Sequence, residues 1–358
     1  MDLQLIDSLL DDFTNQVPKL DLSYIKRLTT STGIIQHASF NIPNYHHGYC
    51  LDDNARALLL LCMANNAKEI ETDTALISCY LAYIHYAQNI DGSFRNFMSY
   101  DLNFLDKQGS DDSLGRTIWA LGTVLASDTL FAFHQITQEI FNKALPHLIE
   151  LKSPRAVAYA ILGLANYLET HPDDEHVLAE ISTLCHFLAL EFKVCADDEW
   201  PWFEEIISYD NAILPLAMLK TARILNNEEW LNIGLKSFTF LDQILYRKEY
   251  ISTIGNQSWH TKSNDISEYG QQPVEIPSIL LLYQEMDKIK PSNNWQLKIK
   301  LAFLWYLGWN DKQLSLYNPI DKSCYDGLED YGVNQNQGAE SNIAFWMSYI
   351  LIKSNISS

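Results

Sequence analysis

Residues 44–56 read Asn44-Tyr-His-His-Gly-Tyr-Cys-Leu-Asp-Asp-Asn-Ala-Arg56, a polar, aromatic and acidic loop that leads into an apolar segment at Leu58–Leu61. The same order returns at Gly109-Ser-Asp-Asp-Ser-Leu-Gly-Arg116, before a second apolar segment that reaches Val124. In both places two aspartates precede an arginine at the start of a predicted helix. The repetition predicts that acidic pairs lie at the amino ends of inward-facing helices and point into one cleft.

Apolar residues recur at steps of three and four along most of the chain, a pattern typical of amphipathic helices. The pattern predicts helices at residues 3–13, 20–29, 52–66, 73–89, 111–126, 130–150, 154–169, 174–194, 209–225, 228–247, 273–288, 293–308 and 340–353. Alternating runs that indicate strands are nearly absent, and residues 251–254 are the best candidate. The fold class is therefore predicted to be all-α.

The connections between these helices alternate between short turns and long loops. The long loops cover residues 37–51, 89–110, 196–209, 249–272 and 309–338, and the short connection at 151–153 is the exception. In an up-and-down array alternate connections lie at opposite ends, so the long loops gather on one face. Six helices start on that face, five run back between them, and the helix at 20–29 supplies the sixth partner. This arithmetic predicts an (α/α)6 toroid formed by one domain over residues 1–358, in which residues 1–30 form a helical pair that closes the ring.

Composition limits the classes of partner. The 358-residue chain is 47% hydrophobic and 20% charged, which is ordinary for a packed soluble protein. Its formal charge of −20 repels phosphate backbones, so nucleic acid is not expected as a partner. No apolar run is long enough to span a bilayer, and the first residues lack a secretory pattern. The six cysteines show no Cys-x-x-Cys spacing, and together these features predict a cytoplasmic protein without a membrane partner.

The long-loop face of such a ring suits hydroxyl-rich ligands, because the inner helices present unpaired N–H groups and positive dipole ends there. Carboxylates, amides and aromatic rings delivered to this face together predict an oligosaccharide site. The candidate catalytic residues are Asp53, Asp112, Glu204, Glu275 and Glu340, and the candidate substrate-binding residues are His46, His47, Tyr49, Asp52, Asn54, Arg56, Asp111, Arg116, Trp200, Trp202, Gln271 and Asn336. No cofactor is predicted, and no metal site, because His46 and His47 lack a second cluster at ligand spacing.

The chemistry that best matches this set is cleavage of a glycosidic bond by paired carboxylates. An aspartate at a helix amino end has its ionised form favoured, so Asp53 or Asp112 is predicted as the base or nucleophile. The acid has to be protonated near neutral pH and therefore needs an apolar or like-charged environment. Glu204, in the run Trp202-Phe-Glu-Glu205, fits that requirement best, and Glu275 is next.

Structural readings of the same residues remain open. Asp52 or Asp111 could be a helix N-cap, and the spacings from Asp53 to Arg56 and from Asp112 to Arg116 also suit helical ion pairs. Trp200 and Trp202 could fill a loop and present no face to a sugar.

Two other functions also remain open. A sugar isomerase or epimerase of the same toroid would use histidines such as His46, His47 or His260 for proton transfer. A glycan-binding protein that serves a glycosyltransferase would need no opposed acids.

Three stretches resemble a bacterial group of six-hairpin glycosidase-like proteins. They are Arg27-Leu-Thr-Thr-Ser-Thr-Gly-Ile-Ile-Gln-His37, His47-Gly-Tyr-Cys-Leu-Asp-Asp-Asn-Ala-Arg-Ala-Leu58 and Asn336-Gln-Gly-Ala-Glu-Ser341. The resemblance implies the (α/α)6 fold and a carbohydrate substrate, with mannosides among the candidates, and a glycosyltransferase as a possible partner. It covers Asp52, Asp53, Asn54, Arg56 and Glu340 without assigning a catalytic role to any of them. Thr30-Ser-Thr32 stands where the group is expected to carry an acidic pair, so no role of such a pair transfers to this chain.

Overall fold

A computed structural model describes residues 3–71 and 73–356 of the chain. The predicted domain of residues 1–358 therefore includes residues 1, 2, 72, 357 and 358, which lie outside the described ranges. The α-helices are α1 Leu3–Gln16, α2 Ser23–Leu28, α3 Leu51–Asn66, α4 Thr74–Ala87, α5 Asp111–Leu125, α6 His134–Ala144, α7 Pro154–Thr170, α8 Glu175–Cys195, α9 Ile213–Leu225, α10 Glu228–Leu245, α11 Glu275–Ile289, α12 Asn293–Leu304 and α13 Ala339–Ile356.

Six of these helices form a closed inner ring. Helix α3 packs against α5, and the contacts continue through α7, α9, α11 and α13 back to α3. Helices α4, α6, α8, α10 and α12 lie outside this ring, each packed against the inner helix that precedes it in the chain. The predicted (α/α)6 toroid is thereby confirmed.

The amino-terminal helices lie beside the last hairpin of the ring. Helix α2 packs against α13, and α1 packs against α12. The Tyr24 hydroxyl donates to the carbonyl of Gln337 at 3.1 Å, and the Tyr349 hydroxyl donates to the carbonyl of Val17 at 2.8 Å. Helix α2 therefore occupies the outer position beside α13, while the assignment of the whole chain to one domain stays a prediction.

The inner helices are buried almost all round, which explains their continuous apolar runs. Side chains cap three of them: the Cys50 thiol accepts from the N–H of the third helical residue of α3, and Ser110 and Ser153 do the same for α5 and α7. The alternative in which Asp52 or Asp111 is the N-cap is therefore wrong. Both aspartates lie one residue or more inside their helices, where their carboxylates remain available for other partners.

Two sequence predictions of secondary structure need correction. The helix predicted at 130–150 is divided, with 3₁₀ segments at Asp128–Phe133 and Leu145–Glu150 on either side of α6. Pro146 at the start of the second segment lacks the N–H that a continuous α-helix would use. Residues 251–254 are buried but form no strand.

The strands of the described residues are short antiparallel pairs of two or three residues in the long loops. They are β1 Ala38–Ser39 with β2 Ile42–Pro43, β3 Tyr49–Cys50 with β4 Phe97–Met98, β5 Ile206–Ile207 with β6 His260–Thr261, β7 Tyr317–Asn318 with β8 Ser323–Cys324, and β9 Gly327–Glu329 with β10 Gly332–Asn334. Two of these pairs, β3–β4 and β5–β6, tie together loops that precede different inner helices and so fix the walls of the cleft.

Glycines allow α5 and α7 to approach each other closely. A Cβ added to Gly163 would lie 2.3 Å from the carbonyl oxygen of Ile118, and one added to Gly122 would lie 2.1 Å from the carbonyl oxygen of Gly163. We expect Gly163→Ala to lower the free energy of unfolding by about 1–3 kcal/mol, because a backbone carbonyl cannot move aside. Helix propensity alone predicts the opposite, a gain of about 1 kcal/mol. Urea unfolding monitored by circular dichroism measures the difference.

Gly234 in α10 is the matched control. A Cβ there would meet the Leu219 side chain at 2.7 Å, and a methyl group at the end of a flexible chain can rotate away. Gly234→Ala is therefore expected to change the free energy of unfolding by less than about 1 kcal/mol. Equal effects of the two substitutions would contradict the role of backbone contact between α5 and α7.

Candidate active site

The long loops surround an open cavity of about 470 Å³, which we call the vestibule. Below it, among the inner helices, lies a narrower cavity of about 30 Å³, which we call the chamber. Arg56 of α3 and Glu340 of α13 line both cavities and define the throat between them. The chamber has room for about two water molecules, whereas the vestibule is large enough for a bound organic ligand.

Arg56 is the centre of an ion-pair network at the throat. Its Nη1 donates to Asp53 Oδ1 at 3.2 Å and also to Glu340 Oε2. Its Nη2 lies 3.6 Å from Asp52 Oδ2. Burial alone would lower the pKa of this guanidinium, but the three carboxylates together raise it well above its usual value. Arg56 therefore remains charged and holds two of the predicted catalytic carboxylates on one nitrogen atom.

A second arginine extends the network towards the far side of the ring. Arg116 Nε lies 3.0 Å from Asp52 Oδ1, and its Nη2 lies 4.0 Å from Asp210 Oδ2. The same guanidinium donates to the Tyr159 hydroxyl at 2.6 Å, and that hydroxyl donates to Asp210 Oδ2 at 2.6 Å. Because one guanidinium contacts both, the carboxylates of Asp52 and Asp210 lie within about 10 Å of each other, the spacing that glycosidic chemistry uses.

Asp53 is a buried carboxyl with a raised pKa. Burial raises its pKa to about 7, and the charges of Asp52 and Glu340 add to the increase while Arg56 opposes it. The Cys50 thiol donates to Asp53 Oδ2 at 3.2 Å. The sequence prediction that the helix amino end keeps Asp53 ionised is therefore wrong, because desolvation and like charges outweigh the helix dipole. Asp53 also lines the vestibule.

Asp210 and Glu275 form a second buried acidic pair. The Asp210 N–H donates to Glu275 Oε1 at 2.6 Å, and burial together with the Asp210 charge raises the pKa of Glu275 to about 8. Asp210 has a left-handed backbone, with φ of 47°, which an aspartate tolerates better than most residues. Its Oδ1 is buried and finds no hydrogen-bond partner among the described residues, although Asp210 lines the chamber. Glu275 does not line either cavity, so its place is to position Asp210.

The predicted acid Glu204 has a different environment from the one expected. The guanidinium of Arg155, at the start of α7, donates to Glu204 Oε2 and to the carbonyl of Tyr209. Asp112 accepts from the Tyr209 hydroxyl at 2.6 Å and from the Ser153 hydroxyl at 2.9 Å, so both its oxygens are engaged. The predictions of Glu204 as acid and Asp112 as base need correction, because these carboxylates are anchored to the scaffold outside the two cavities.

Several predicted substrate-binding residues are structural. Tyr49, Asn54, Trp202 and Gln271 are buried, as is Trp200, whose indole N–H donates to the Glu204 carbonyl. The alternative in which Trp200 and Trp202 fill a loop is therefore favoured over substrate binding, because neither indole has an exposed face. Asn54 and Gln271 bond to neighbouring loops, and Asp111 accepts the N–H groups of residues 152 and 153. By contrast Asp52, Asp53, Arg56, Asn336 and Glu340 line the vestibule, and Arg116 lines the chamber.

The histidines do not converge on the cleft. His46 and His47 lie in an exposed turn, and His47 meets His37 edge to face with ring centres 4.6 Å apart. Burial and then the His47 charge lower the pKa of His37. Among the described residues His37 is the one histidine that lines the vestibule, and the chamber lining includes none. His260 lies beside Trp200. A pair of histidines facing each other across the cleft is therefore not present in the described residues.

Asp210 and Asp326 were missing from the predicted site residues. Burial raises the pKa of Asp326 to about 6, against the lowering effect of the Gly338 N–H, which donates to it at 2.7 Å. Asp326 lines the vestibule on the side of α13. The sequence signal for Asp210 was its place at the amino end of an inner helix, but nothing in the sequence separates it from the structural acids nearby.

The raised carboxyl pKa values predict the pH dependence of stability. The folded pKa values of Asp53, Asp326 and Glu275 are about 7, 6 and 8, above those of the unfolded chain. At pH values between the unfolded and the folded pKa of such a carboxyl, the folded state binds more protons than the unfolded state, so the free energy of unfolding falls as the pH rises. Each such carboxyl contributes a slope of up to about 1.4 kcal/mol per pH unit, from about pH 5 up to its own folded pKa, so Asp326 contributes up to about pH 6 and Asp53 up to about pH 7. Urea unfolding at several pH values measures it.

His37 and His260 act in the opposite direction near pH 6, since their pKa values are lowered by burial. Glu275→Gln isolates the carboxyl effect, because it removes one titrating group and is expected to flatten the slope. An unchanged slope in that variant would contradict the raised pKa of Glu275.

No described helix has both the length and the apolar character needed to cross a bilayer. No set of three or more histidine, cysteine, aspartate or glutamate side chains in the described ranges is grouped as metal ligands.

Comparison with solved structures relates this geometry to known proteins. The chain is similar to a cellobiose 2-epimerase from Bacillus thermoamylovorans, with a TM-score of 0.74 and 7% identity over 98% of this chain and 100% of that one. It is also similar to a GH76 α-mannanase from Bacteroides thetaiotaomicron, with a TM-score of 0.65 and 12% identity over 96% of this chain and 94% of that one. An inactive α-1,6-mannanase variant from Salegentibacter, in complex with α-1,6-mannotetrose, gives a TM-score of 0.61 and 12% identity over 98% of this chain and 99% of that one.

These similarities show the fold. The chain is an (α/α)6 toroid. No family model and no curated protein sequence matches it. The finer resemblance, to the group found beside glycosyltransferases, stays a prediction.

Proposed function

We propose that the protein is a glycoside hydrolase that acts on a neutral oligosaccharide, with Asp53 as general acid and Glu340 as the second carboxylate. The observation that carries the proposal is their shared partner, since both accept from the same Nη1 atom of Arg56. Their oxygens are therefore within about 6 Å of each other, close enough to act on one glycosidic bond. Both residues line the vestibule, where the bond would lie.

The two carboxyls differ in the way the reaction requires. Asp53 is buried with a pKa of about 7, so a large fraction is protonated near neutral pH and can protonate the leaving oxygen. Glu340 has a side chain that is 37% exposed and accepts a hydrogen bond from the Arg56 guanidinium. Glu340 then acts as nucleophile or as the base for an attacking water, and the chamber that it also lines has room for such a water.

The charge around the throat favours a neutral substrate. Four carboxyl groups, those of Asp52, Asp53, Asp210 and Glu340, surround the two arginines. This acidic surplus would repel an anionic sugar. Sugar hydroxyls, in contrast, can donate to the carboxylates of Asp52, Asp53 and Glu340, which line the vestibule.

The solved neighbours support this choice of chemistry. One is an α-1,6-mannanase made inactive by replacing two consecutive aspartates, bound to α-1,6-mannotetrose. Two of the consecutive aspartate pairs in this chain lie in the first turn of an inner helix, and Asp52–Asp53 lines the vestibule whereas Asp111–Asp112 is bonded to the start of α7. We therefore infer that Asp52–Asp53 is the functional pair and that a mannose-containing oligosaccharide is the first substrate to test. The similarity to an epimerase carries less weight, because the cleft lacks a facing pair of histidines.

The test is direct product analysis. The purified protein is incubated with α-1,6-mannotetrose, with cello-oligosaccharides and with uronic oligosaccharides, and products are followed by chromatography and proton NMR. We expect shorter products from a neutral oligosaccharide and none from the uronic series. Conversion of a reducing-end sugar to its epimer without chain shortening would overturn the proposal in favour of an epimerase. Binding of a neutral oligosaccharide without any turnover would favour the non-catalytic glycan-binding alternative.

Two properties outside the site are also proposed. A cytoplasmic location rests on the cysteine spacing and on the sequence patterns of the first residues and the apolar runs. A glycosyltransferase partner rests on the three resembling stretches of sequence. Fractionation of cells followed by co-purification with the endogenous protein tests them together.

A further inference from the structure

Three exposed aromatic side chains lie in the two long loops that precede α3 and α5. Phe97, Tyr45 and Tyr100 are 45%, 49% and 46% exposed, although each carries a large apolar ring. Phe97 itself lines the vestibule. We call these three side chains the aromatic rim. Exposed rings grouped at the mouth of a cavity are typical of a binding surface, since a soluble protein gains nothing in stability by leaving them in water.

The rim is held rigidly by buried structure. Tyr45 stacks on Tyr100 with ring centres 4.3 Å apart and an angle of 9° between the rings. Tyr100 is in turn nearly parallel to Tyr49, at 6.3 Å and 15°. Tyr49 is buried, and its hydroxyl lies 3.0 Å from that of Thr30. The exposed rings are therefore ordered before any ligand binds, which lowers the entropy lost on binding.

The rim is also connected directly to the proposed acid. Phe97 in β4 lies opposite Cys50 in β3, and the Cys50 thiol donates to Asp53 Oδ2. The Asp106 carboxylate accepts the backbone N–H of Phe97 at 3.0 Å and that of Asn96 at 2.8 Å, which fixes the strand from the other side. Phe97 therefore lies in the vestibule wall close to Asp53, and Tyr100 follows it by three residues in the same loop.

We propose that the aromatic rim binds the sugar units of the substrate that extend beyond the cleaved bond, so that the substrate is an oligosaccharide of three or more units. This inference rests on the proposed hydrolase function. Flat aromatic faces pack against the C–H faces of sugar rings, and the rim contributes no charge that would require a charged ligand. Phe97 belongs both to the aromatic rim and to the vestibule lining, which favours a sugar chain as the ligand of the rim. Binding of a separate protein partner would not depend on the length of the sugar.

The test measures affinity as a function of chain length in the absence of turnover. Asp53→Asn protein is titrated by calorimetry with α-1,6-manno-oligosaccharides and cello-oligosaccharides of two to six units. We expect the affinity to rise from two to four sugar units. Phe97→Ala or Tyr100→Ala in the same background is expected to remove about three- to tenfold of that gain and to leave the affinity for the disaccharide unchanged. The control is Phe131→Ala, a more exposed ring (77%) in the segment that follows the carboxyl end of α5.

The outcomes separate the two proposals. Binding that does not change with chain length, or that Phe97→Ala and Tyr100→Ala lower equally for all lengths, overturns the aromatic rim as an extended sugar site. Cleavage by the wild-type protein in that case leaves the hydrolase proposal intact. If no oligosaccharide of either series binds at any length, both proposals fail. If Phe131→Ala lost as much affinity for the longer oligosaccharides as the rim variants, the loss would be a general effect of removing exposed rings, and the inference would be overturned.

Discussion

Replacing Asp53 by asparagine is expected to lower kcat/KM for the preferred oligosaccharide by about 10²–10⁴-fold, the range that general acid catalysis contributes. Asparagine keeps the size of the side chain but cannot donate a proton to the leaving oxygen. Arg56 retains Asp52 and Glu340 as partners, so the network at the throat survives the change. Steady-state kinetics with a reducing-end assay, together with circular dichroism to verify folding, gives the comparison.

The control is the other acidic pair. Asp112→Asn changes a carboxyl that is bonded to Ser153 and Tyr209 outside the two cavities, and it is expected to keep kcat/KM within about tenfold of wild type. Full activity in Asp53→Asn combined with inactivity in Asp112→Asn would move the catalytic centre to the second pair and remove the present assignment.

The pH profile of the same reaction is a separate prediction. An acid must be protonated to act, and the pKa of Asp53 is raised to about 7 by burial and neighbouring carboxylates. We therefore expect kcat/KM to fall by about tenfold per pH unit above that value. If Asp326, with its pKa of about 6, were the acid, the fall would begin about one pH unit lower. Kinetics between pH 5 and 9 in wild type and Asp326→Asn distinguishes the two carboxyls.

The sequence was sufficient to predict the ring because its evidence is local and repeated. An apolar run in the sequence predicts each inner helix, and the alternation of short and long loops indicates which helix ends lie on the same face of the ring. The residues of the best-marked stretch, Asp52, Asp53 and Arg56, do reach the cleft, because they lie in the first turn of an inner helix whose position the ring determines.

The roles of individual acids could not be predicted in the same way, because they depend on partners far away in the chain. Glu204 has apolar neighbours in the sequence, yet its carboxylate accepts from Arg155, which lies 49 residues earlier in the chain. Asp53 looked like an ionised helix-end residue, but burial and the approach of Glu340 from the last helix raise its pKa. The tryptophans at 200 and 202 have a loop-like sequence, and their burial follows from packing against later helices.

Arg56 is the residue whose loss should most affect stability. We expect Arg56→Met to lower the free energy of unfolding by about 3–5 kcal/mol near pH 8, because it leaves buried carboxylates without their cation. Asp53 and Glu340 lose their shared donor, and Asp52 keeps only Arg116. Methionine preserves much of the apolar length of the arginine stem, so the loss reports mainly on charge.

The same variant should be less destabilised in mild acid. Without Arg56 the pKa of Asp53 rises further, so protonation near pH 5 removes its uncompensated charge and the difference from wild type shrinks. Arg27→Met is the control, since Arg27 pairs with Asp321 at 2.8 Å but is 42% exposed, and its loss should change the free energy of unfolding by less than about 1 kcal/mol. Urea unfolding of both variants at pH 5 and pH 8 tests the prediction. A loss in Arg56→Met that is small, or that is the same at both pH values, would mean that the throat carboxyls do not depend on Arg56 for their charge, and the pairing of Asp53 with Glu340 would lose its physical basis.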